Sequence, residues 1–318
     1  YDIRQKSHSV LEDLFASRQT LLEAEHTARR EAFAAAGLPS RRGQLGLPRV
    51  FFLHEFLPFY STLLWELGFE PVVSPPTSRD VIAKGTRLIT ADTCFPIKAA
   101  LGHVSALLDA GVERLLIPSY VNMSTPEEPF ELGHACPLTQ SFPYQVRAVC
   151  PQAQVVAPVI KLKFGARRLA SLLAEALAPL GVGPGELRRA MTRAQAAQDG
   201  FSSAVRTKGD QVLAGLDTPA LVIVGRPYNA FDSGMNLDLP KKLRSLQVQA
   251  IPMDFLPRGA VHETWPDMYW RSGQRILAAA RAAVSDPRLH ALYLGDFSCG
   301  PDSFILKFFE RELRGKPW

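Results

Sequence analysis

The side chains with the greatest chemical reach in this sequence are four thiols, Cys94, Cys136, Cys150 and Cys299, each followed closely by a proline. The local sequences are Cys94-Phe95-Pro96, Cys136-Pro137, Cys150-Pro151 and Cys299-Gly300-Pro301. Proline is favoured in the first turn of a helix because its missing N–H would have no partner there anyway. Cys94 is expected to follow a strand at Leu88–Thr90, and Cys299 one at Leu292–Leu294, each then opening a helix. Such thiols face the positive end of a helix, where the thiolate is stabilised. Cys136 stands in a turn-rich loop ahead of a short helical pattern.

Three thiolates in that setting suit an iron–sulfur cluster. An oxidised [4Fe–4S] core with three thiolate ligands is an anion, and backbone N–H groups aimed at it favour its binding and tune its potential. Cys94, Cys136 and Cys299 are the candidate ligands. Three ligands leave one iron open to water or a substrate oxygen, which distinguishes a reactive metal site from a structural one. Cys150 precedes a strand that leads away from the loops, and reads as structural or at most an occasional fourth ligand. Spacing alone leaves other readings open, since there is no Cys-x-x-Cys pair and free cysteine is among the most buried residue types. Zinc would usually recruit a fourth Cys or His, and His134 lies two residues before Cys136. His103 reads as a core or surface histidine.

The remaining composition narrows the class. The 318 residues are 47% hydrophobic and 21% charged, enough for two modest cores. The net charge of +5 is spread along the chain without a dense Lys/Arg tract and interleaved aromatics, which argues against nucleic-acid binding. No apolar run approaches the roughly 20 residues of a membrane span, and the N-terminus has no signal-peptide core. Four cysteines are too few for a disulfide scaffold, so a reducing cytoplasm is expected. The chain begins without Met and stops just after a helical pattern, which reads like a piece of a longer protein.

The elements expected to position the thiols alternate between strand and helix. Residues 7–36 read as helix, stopped by Gly37-Leu38-Pro39. Strands are predicted at Arg49–Leu53, Pro71–Val73, Leu88–Thr90, Leu115–Ile117 and Val155–Ile160, with helices at Phe59–Leu67 and Ile97–Ala110. A helical bridge spans 166–216. Strands at Leu221–Val224, Ala250–Pro252 and Leu292–Leu294 then alternate with helices at Leu239–Leu246, Tyr269–Val284 and Ser303–Leu313. The fold class is α/β, with two Rossmann-like, doubly wound parallel-sheet lobes. The expected bounds are a helical lead-in at 1–46, a first lobe at 47–165, the bridge at 166–216 and a second lobe at 217–318. Ligands of such sheets sit outside the carboxyl ends of the strands.

Five blocks in order resemble one family. They are Asp92-Thr93-Cys94-Phe95-Pro96-Ile97-Lys98 with Gly102-His103-Val104; Cys136 to Pro143; Gly225-Arg226-Pro227-Tyr228-Asn229 with Gly234-Met235-Asn236; Met268-Tyr269-Trp270; and Phe297 to Ser303. From about Pro48 to the C-terminus the chain resembles proteins related to 2-hydroxyacyl-CoA dehydratase activase. The resemblance implies a cluster-bearing fold like that of the dehydratase subunits and double-cubane proteins. It further implies a partner ATP-dependent activase that supplies low-potential electrons, and an acyl-CoA-like small molecule as substrate. Three motif cysteines imply a single [4Fe–4S] cluster, not a double cubane. With neither a Walker A sequence nor Gly-x-Gly-x-x-Gly, ATP hydrolysis is not expected of this chain itself. Reliance on partners makes a lone monomer doubtful. Other members carry His where this chain has Asn229, so no acid–base role follows for it, and catalytic residues stay unassigned. The Arg226–Asn229 loop reads as either a cleft lining or a plain turn. Lys98 reads as solvating its helix or offsetting cluster charge, and Asp302 and Ser303 as ordinary first-turn residues. Two further functions stay open: a cluster-carrying scaffold or electron relay without a substrate, and a metal-free α/β binding module.

Overall fold

Strand β1 (Gln44–Leu47) pairs in parallel with β2 (Glu70–Val73) on one side and with β3 (Arg114–Leu116) on the other; β5 (Gln154–Val156) extends the sheet beyond β3. The four-stranded order is β2-β1-β3-β5, so the chain reverses direction across the sheet between β1 and β3. These strands belong to a computed structural model that describes residues 11–37, 40–89, 91–257, 259–297 and 299–318. The expectations for residues 7–10, Leu38, Pro39, Thr90 and Ser298 lie outside the described residues.

A second pair, β4 (Ser119–Asn122) with β6 (Val159–Lys161), is also parallel. Pro118 separates β3 from β4, and Pro158 separates β5 from β6. Proline has no N–H for the ladder, so two long tracks are each cut into short strands at these points. The single strand predicted at Val155–Ile160 is therefore two. The third sheet, β8 (Gln249–Pro252), β7 (Ala220–Gly225) and β9 (Leu289–Leu294), is parallel throughout in the order β8-β7-β9. Its central strand is a continuous apolar run, as a strand covered on both faces requires.

Helices cover these sheets. The first lobe carries α1 (Leu14–Ala36), α2 (Leu53–Glu66), α3 (Arg79–Leu88), α4 (Phe95–Asp109) and α5 (Pro137–Val149). Next come α6 (Gly165–Leu177) and the 31-residue α7 (Pro184–Ala214), which lies along α2. The second lobe adds α8 (Pro227–Ala230), α9 (Leu239–Ser245), α10 (Arg271–Ser285) and α11 (Gly300–Leu313). One apolar core forms around α2, α4 and the first sheet, and a second around α10, α11 and β7–β9.

Three sequence expectations are corrected. The run Arg49–Leu53 is a turn leading into α2, with Phe51 at φ 47°, and the strand lies earlier, at Gln44–Leu47. A short continuous apolar run fits a buried helix start as well as a strand, and here Pro48 ends the strand before it. Strand β1 also begins inside the segment expected to be a helical lead-in to residue 46. Leu88 and Ile89 are not a strand either: Leu88 closes α3, a helix N-capped by Ser78, whose side chain accepts from the Val81 amide. Cys94 thus follows a helix.

Ion pairs, buried or half-buried, join the lobes. Arg18 on α1 pairs with Asp254 at 2.7 Å, donates to the His54 carbonyl, and lies 3.6 Å over the Phe231 ring. Arg271 reaches Glu128 at 2.5 Å, and Arg275 pairs with Glu55. Among the described residues, no helix is long and apolar enough to cross a membrane.

Candidate functional site

Each of the three motif cysteines is the residue before a helix. Cys94 N-caps α4, Cys136 N-caps α5 and Cys299 N-caps α11, each with proline in the first turn. An N-cap is usually Ser, Thr, Asp or Asn, whose oxygen takes up a first-turn amide. At Cys94 and Cys136 no side chain caps the helix, and first-turn amides such as those of Ile97 and Thr139 donate to the cysteine carbonyls. At Cys299 the sulfur itself accepts from the Asp302 amide at 3.5 Å. The α5 helix has 13 residues, longer than its sequence suggested, because Pro143 is accommodated inside it.

Charges connect the three positions. Burial pushes the Cys94 thiol up, the facing Cys136 and Asp296 add to that, and the Ile97 amide and Arg226 pull it back. Burial pushes the Cys299 thiol up to about 12 against the pull of Arg226. Without a metal this sulfur keeps its proton. Arg226, at the end of β7, donates from Nε to Asp302 at 2.8 Å, from Nη1 to the Tyr228 hydroxyl at 2.7 Å and from Nη2 to Cys299 Sγ at 3.1 Å. Burial works against the Arg226 charge, but Tyr228, Asp302 and Cys299 together hold its pKa well above the ordinary value. Burial also raises Tyr228, which feels both Arg226 and Cys136. The Asn229 amide donates to Asp296 at 2.6 Å, while its own buried Oδ1 has no partner.

The backbone before Cys136 ties the lobes together. His134 bridges to Asn122 at the end of β4 and to Trp270 before α10, with its N–H donating to the Tyr269 carbonyl at 2.8 Å. Its ring stacks on Tyr269. Cys150 caps the far end of α5, 1% exposed within the first core. At 1.5 Å per residue that is roughly 20 Å from Cys136, too far to share a cluster. Lys98 pairs with Asp92 at 3.3 Å on the surface.

Sequence reasoning missed a buried chain that crosses the lobes beside this site. Thr77 donates to Asp232 at 2.5 Å, so its oxygen accepts from His103 Nε2 at 2.9 Å. His103 Nδ1 then accepts from Ser74 at 2.9 Å, which fixes the tautomer. His103 is thus a core histidine, and burial lowers its pKa to about 4. Asp232 has its other oxygen on the Gly234 and Met235 amides and lies 3.6 Å from His54. Only the Gly234-Met235-Asn236 block hinted at this loop.

The donor set can be tested against a cluster. Among the described residues, no group of three or more His, Cys, Asp and Glu is placed to hold a metal ion. A cubane spreads its ligand sulfurs more widely than one ion does. Soft thiolates at three helix starts, with a buried guanidinium on one sulfur, fit an anionic iron–sulfur group in ligand type and charge.

Fold and site together define an α/β protein in which three thiols each open a helix, one of them, Cys299, hydrogen-bonded to the buried Arg226 that follows β7. Residues 44–256, more than half of the chain, match the family described as CoA enzyme activase uncharacterised domain (DUF2229). The chain belongs to this family, which is related to the activases of 2-hydroxyacyl-CoA dehydratases. The match includes Cys94, Cys136 and Arg226 and ends before Cys299. No curated protein matches the chain.

Proposed function

We propose that this chain is a [4Fe–4S] redox protein of the dehydratase–activase system, with Cys94, Cys136 and Cys299 as ligands. The observation that carries this reading is the shared placement of the three thiols, each at a proline-opened helix start and all within the electrostatic reach of Arg226 or Tyr228. Bound there, the cluster supplies one-electron chemistry that protein side chains cannot. The chain's own residues bind it, offset its charge and keep water from the Cys299 side.

An ATP-dependent activase is the proposed electron donor, in a reducing cytoplasm. Phe95, Leu138 and Phe297 are exposed large apolar residues within two positions of a motif cysteine, and Phe297 is 96% exposed. Exposed apolar groups of this kind suit a docking partner. The proposed substrate is an acyl-CoA-like molecule undergoing reduction or dehydration. A small apolar cleft of about 30 Å³ opens at the carboxyl ends of β1 and β3, lined by Leu47, Phe52, Tyr60, Tyr120 and Thr139. It lies where the strand order reverses, the place where open α/β sheets bind their ligands. Thr139 brings it within the first turn of the helix that Cys136 opens.

The test is anaerobic reconstitution with iron and sulfide. Wild-type protein is expected to gain broad visible absorption and about four irons per chain. Cys94→Ser, Cys136→Ser and Cys299→Ser each lose most of it, and Cys150→Ser keeps it. An unchanged band in all three motif variants refutes the reading. The exposed apolar rim also favours a second reading, an electron relay with no substrate of its own. An acyl-CoA that leaves the EPR signal of the reduced cluster unshifted selects the relay.

A further inference from the structure

Arg226 is 3% exposed, and each arm of its guanidinium has a different partner: Asp302, Tyr228 and the sulfur of Cys299. A neutral thiol is a weak acceptor. This one nevertheless draws two donors, the Arg226 Nη2 at 3.1 Å and the Asp302 amide at 3.5 Å. Two donors converging on one sulfur suit a sulfur carrying negative charge. A purely structural ion pair accounts for the Nε–Asp302 contact and leaves the sulfur contact without a purpose.

We propose that Arg226 is the positioning residue that sets the reduction potential of the site, its buried charge stabilising the electron added to a [4Fe–4S] group on Cys94, Cys136 and Cys299, with Asp302 as the opposing charge. This rests on the cluster reading above. Cluster potentials follow net charge, hydrogen bonds to the sulfurs and exposure, and Arg226 acts through the first two. Its charge is fixed, since a guanidinium does not lose its proton in proteins. A hydrogen-bonded charge in a poorly solvated site acts strongly on a second charge added beside it. Reduction adds one electron and needs no proton at this residue. In the test the electron comes from dithionite, which is oxidised to sulfite.

The two buried charges predict shifts of opposite sign. In an EPR-monitored redox titration of reconstituted full-length protein, Arg226→Gln lowers the reduction equilibrium constant at least tenfold, a fall in midpoint of about 59 mV. Asp302→Asn, which frees the guanidinium from its carboxylate, raises the midpoint. Arg226→Lys keeps the charge but not the three-way fork, and falls between wild type and Arg226→Gln. Iron and sulfide content, measured on each sample, separates loss of cluster from change of potential. If wild-type protein takes up no cluster, the reading of the cysteines fails and this inference with it. If clusters form and the midpoints of Arg226→Gln and Asp302→Asn equal that of wild type, the inference is overturned while the cluster reading stands. Removing the cation leaves Asp302 buried and unpaired, which can stop Arg226→Gln from folding. Asp302→Asn then decides: a raised midpoint supports the role of Arg226, and an unchanged or lowered one overturns it.

Discussion

At the scale of single residues, the four thiols divide by environment. Cys150 and Cys299 are buried, whereas Cys94 and Cys136 are partly open. Cysteine reacts as the thiolate and needs access, so burial slows alkylation twice over. In cluster-free protein at pH 8, iodoacetamide is expected to modify Cys94 and Cys136 well before Cys150 and Cys299, and urea abolishes the difference. Peptide mass spectrometry over a time course reads this directly. Equal rates for all four thiols in the folded protein contradict the burial described here. Asp296 adds to the same site, since burial raises its carboxyl and the Asn229 amide opposes that shift.

At the scale of elements, the position of Cys94 depends on how α3 crosses α4. The two helices touch backbone to backbone at Gly85 and Gly102. A Cβ on Gly85 would meet the Lys98 carbonyl oxygen at 1.8 Å, and one on Gly102 would meet that of Val81 at 1.8 Å. Neither obstacle is a side chain that can swing aside. Gly102→Ala must therefore push the helices apart, at a cost of about 1–3 kcal/mol typical of overpacking. The urea midpoint is expected to fall, and cluster uptake with it, because α4 carries Cys94 at its start. A variant as stable as wild type would mean that the helices do not meet as described. The glycine was visible in the sequence block Gly102-His103-Val104, but α3 was not. Without α3 nothing signalled which surface that glycine had to approach.

At the scale of the whole molecule, three buried histidines link stability to pH. Burial holds His26 at about 4, His54 at about 3 and His103 at about 4, all below the unfolded value of 6.5. Between pH 6.5 and 4 the unfolded chain takes up protons that the folded chain refuses. Stability is therefore complete above about pH 6.5 and falls as pH drops through that window. The Tm is expected to be lower at pH 5.5 than at pH 7.5. Carboxylates lowered by partners, such as Glu23 beside Arg49, lose their contribution only below their own unfolded value of 4.5, so between pH 6.5 and 4.5 the histidines act without them. His103→Gln removes one of the three buried imidazoles and flattens the slope; a Tm independent of pH across this range contradicts the linkage. Because Asp232 belongs to the second lobe and His103 to the first, the same titration tests the joint between them.

The sequence by itself determined the α/β class, the helix starts behind Cys94, Cys136 and Cys299, and the oddity of Cys150. These follow from local rules: proline in a first turn, apolar periodicity, and the few conformations open to each residue type. Tertiary structure alone decided that Arg226 reaches Cys299, that Asp232 links to His103 through Thr77, and that Arg49–Leu53 turns into a helix instead of running as a strand. Each of those is settled by partners far away in the chain. A side chain's local pattern fixes the element it sits on, while its neighbours across the core fix its charge, its hydrogen bonds and so its chemistry.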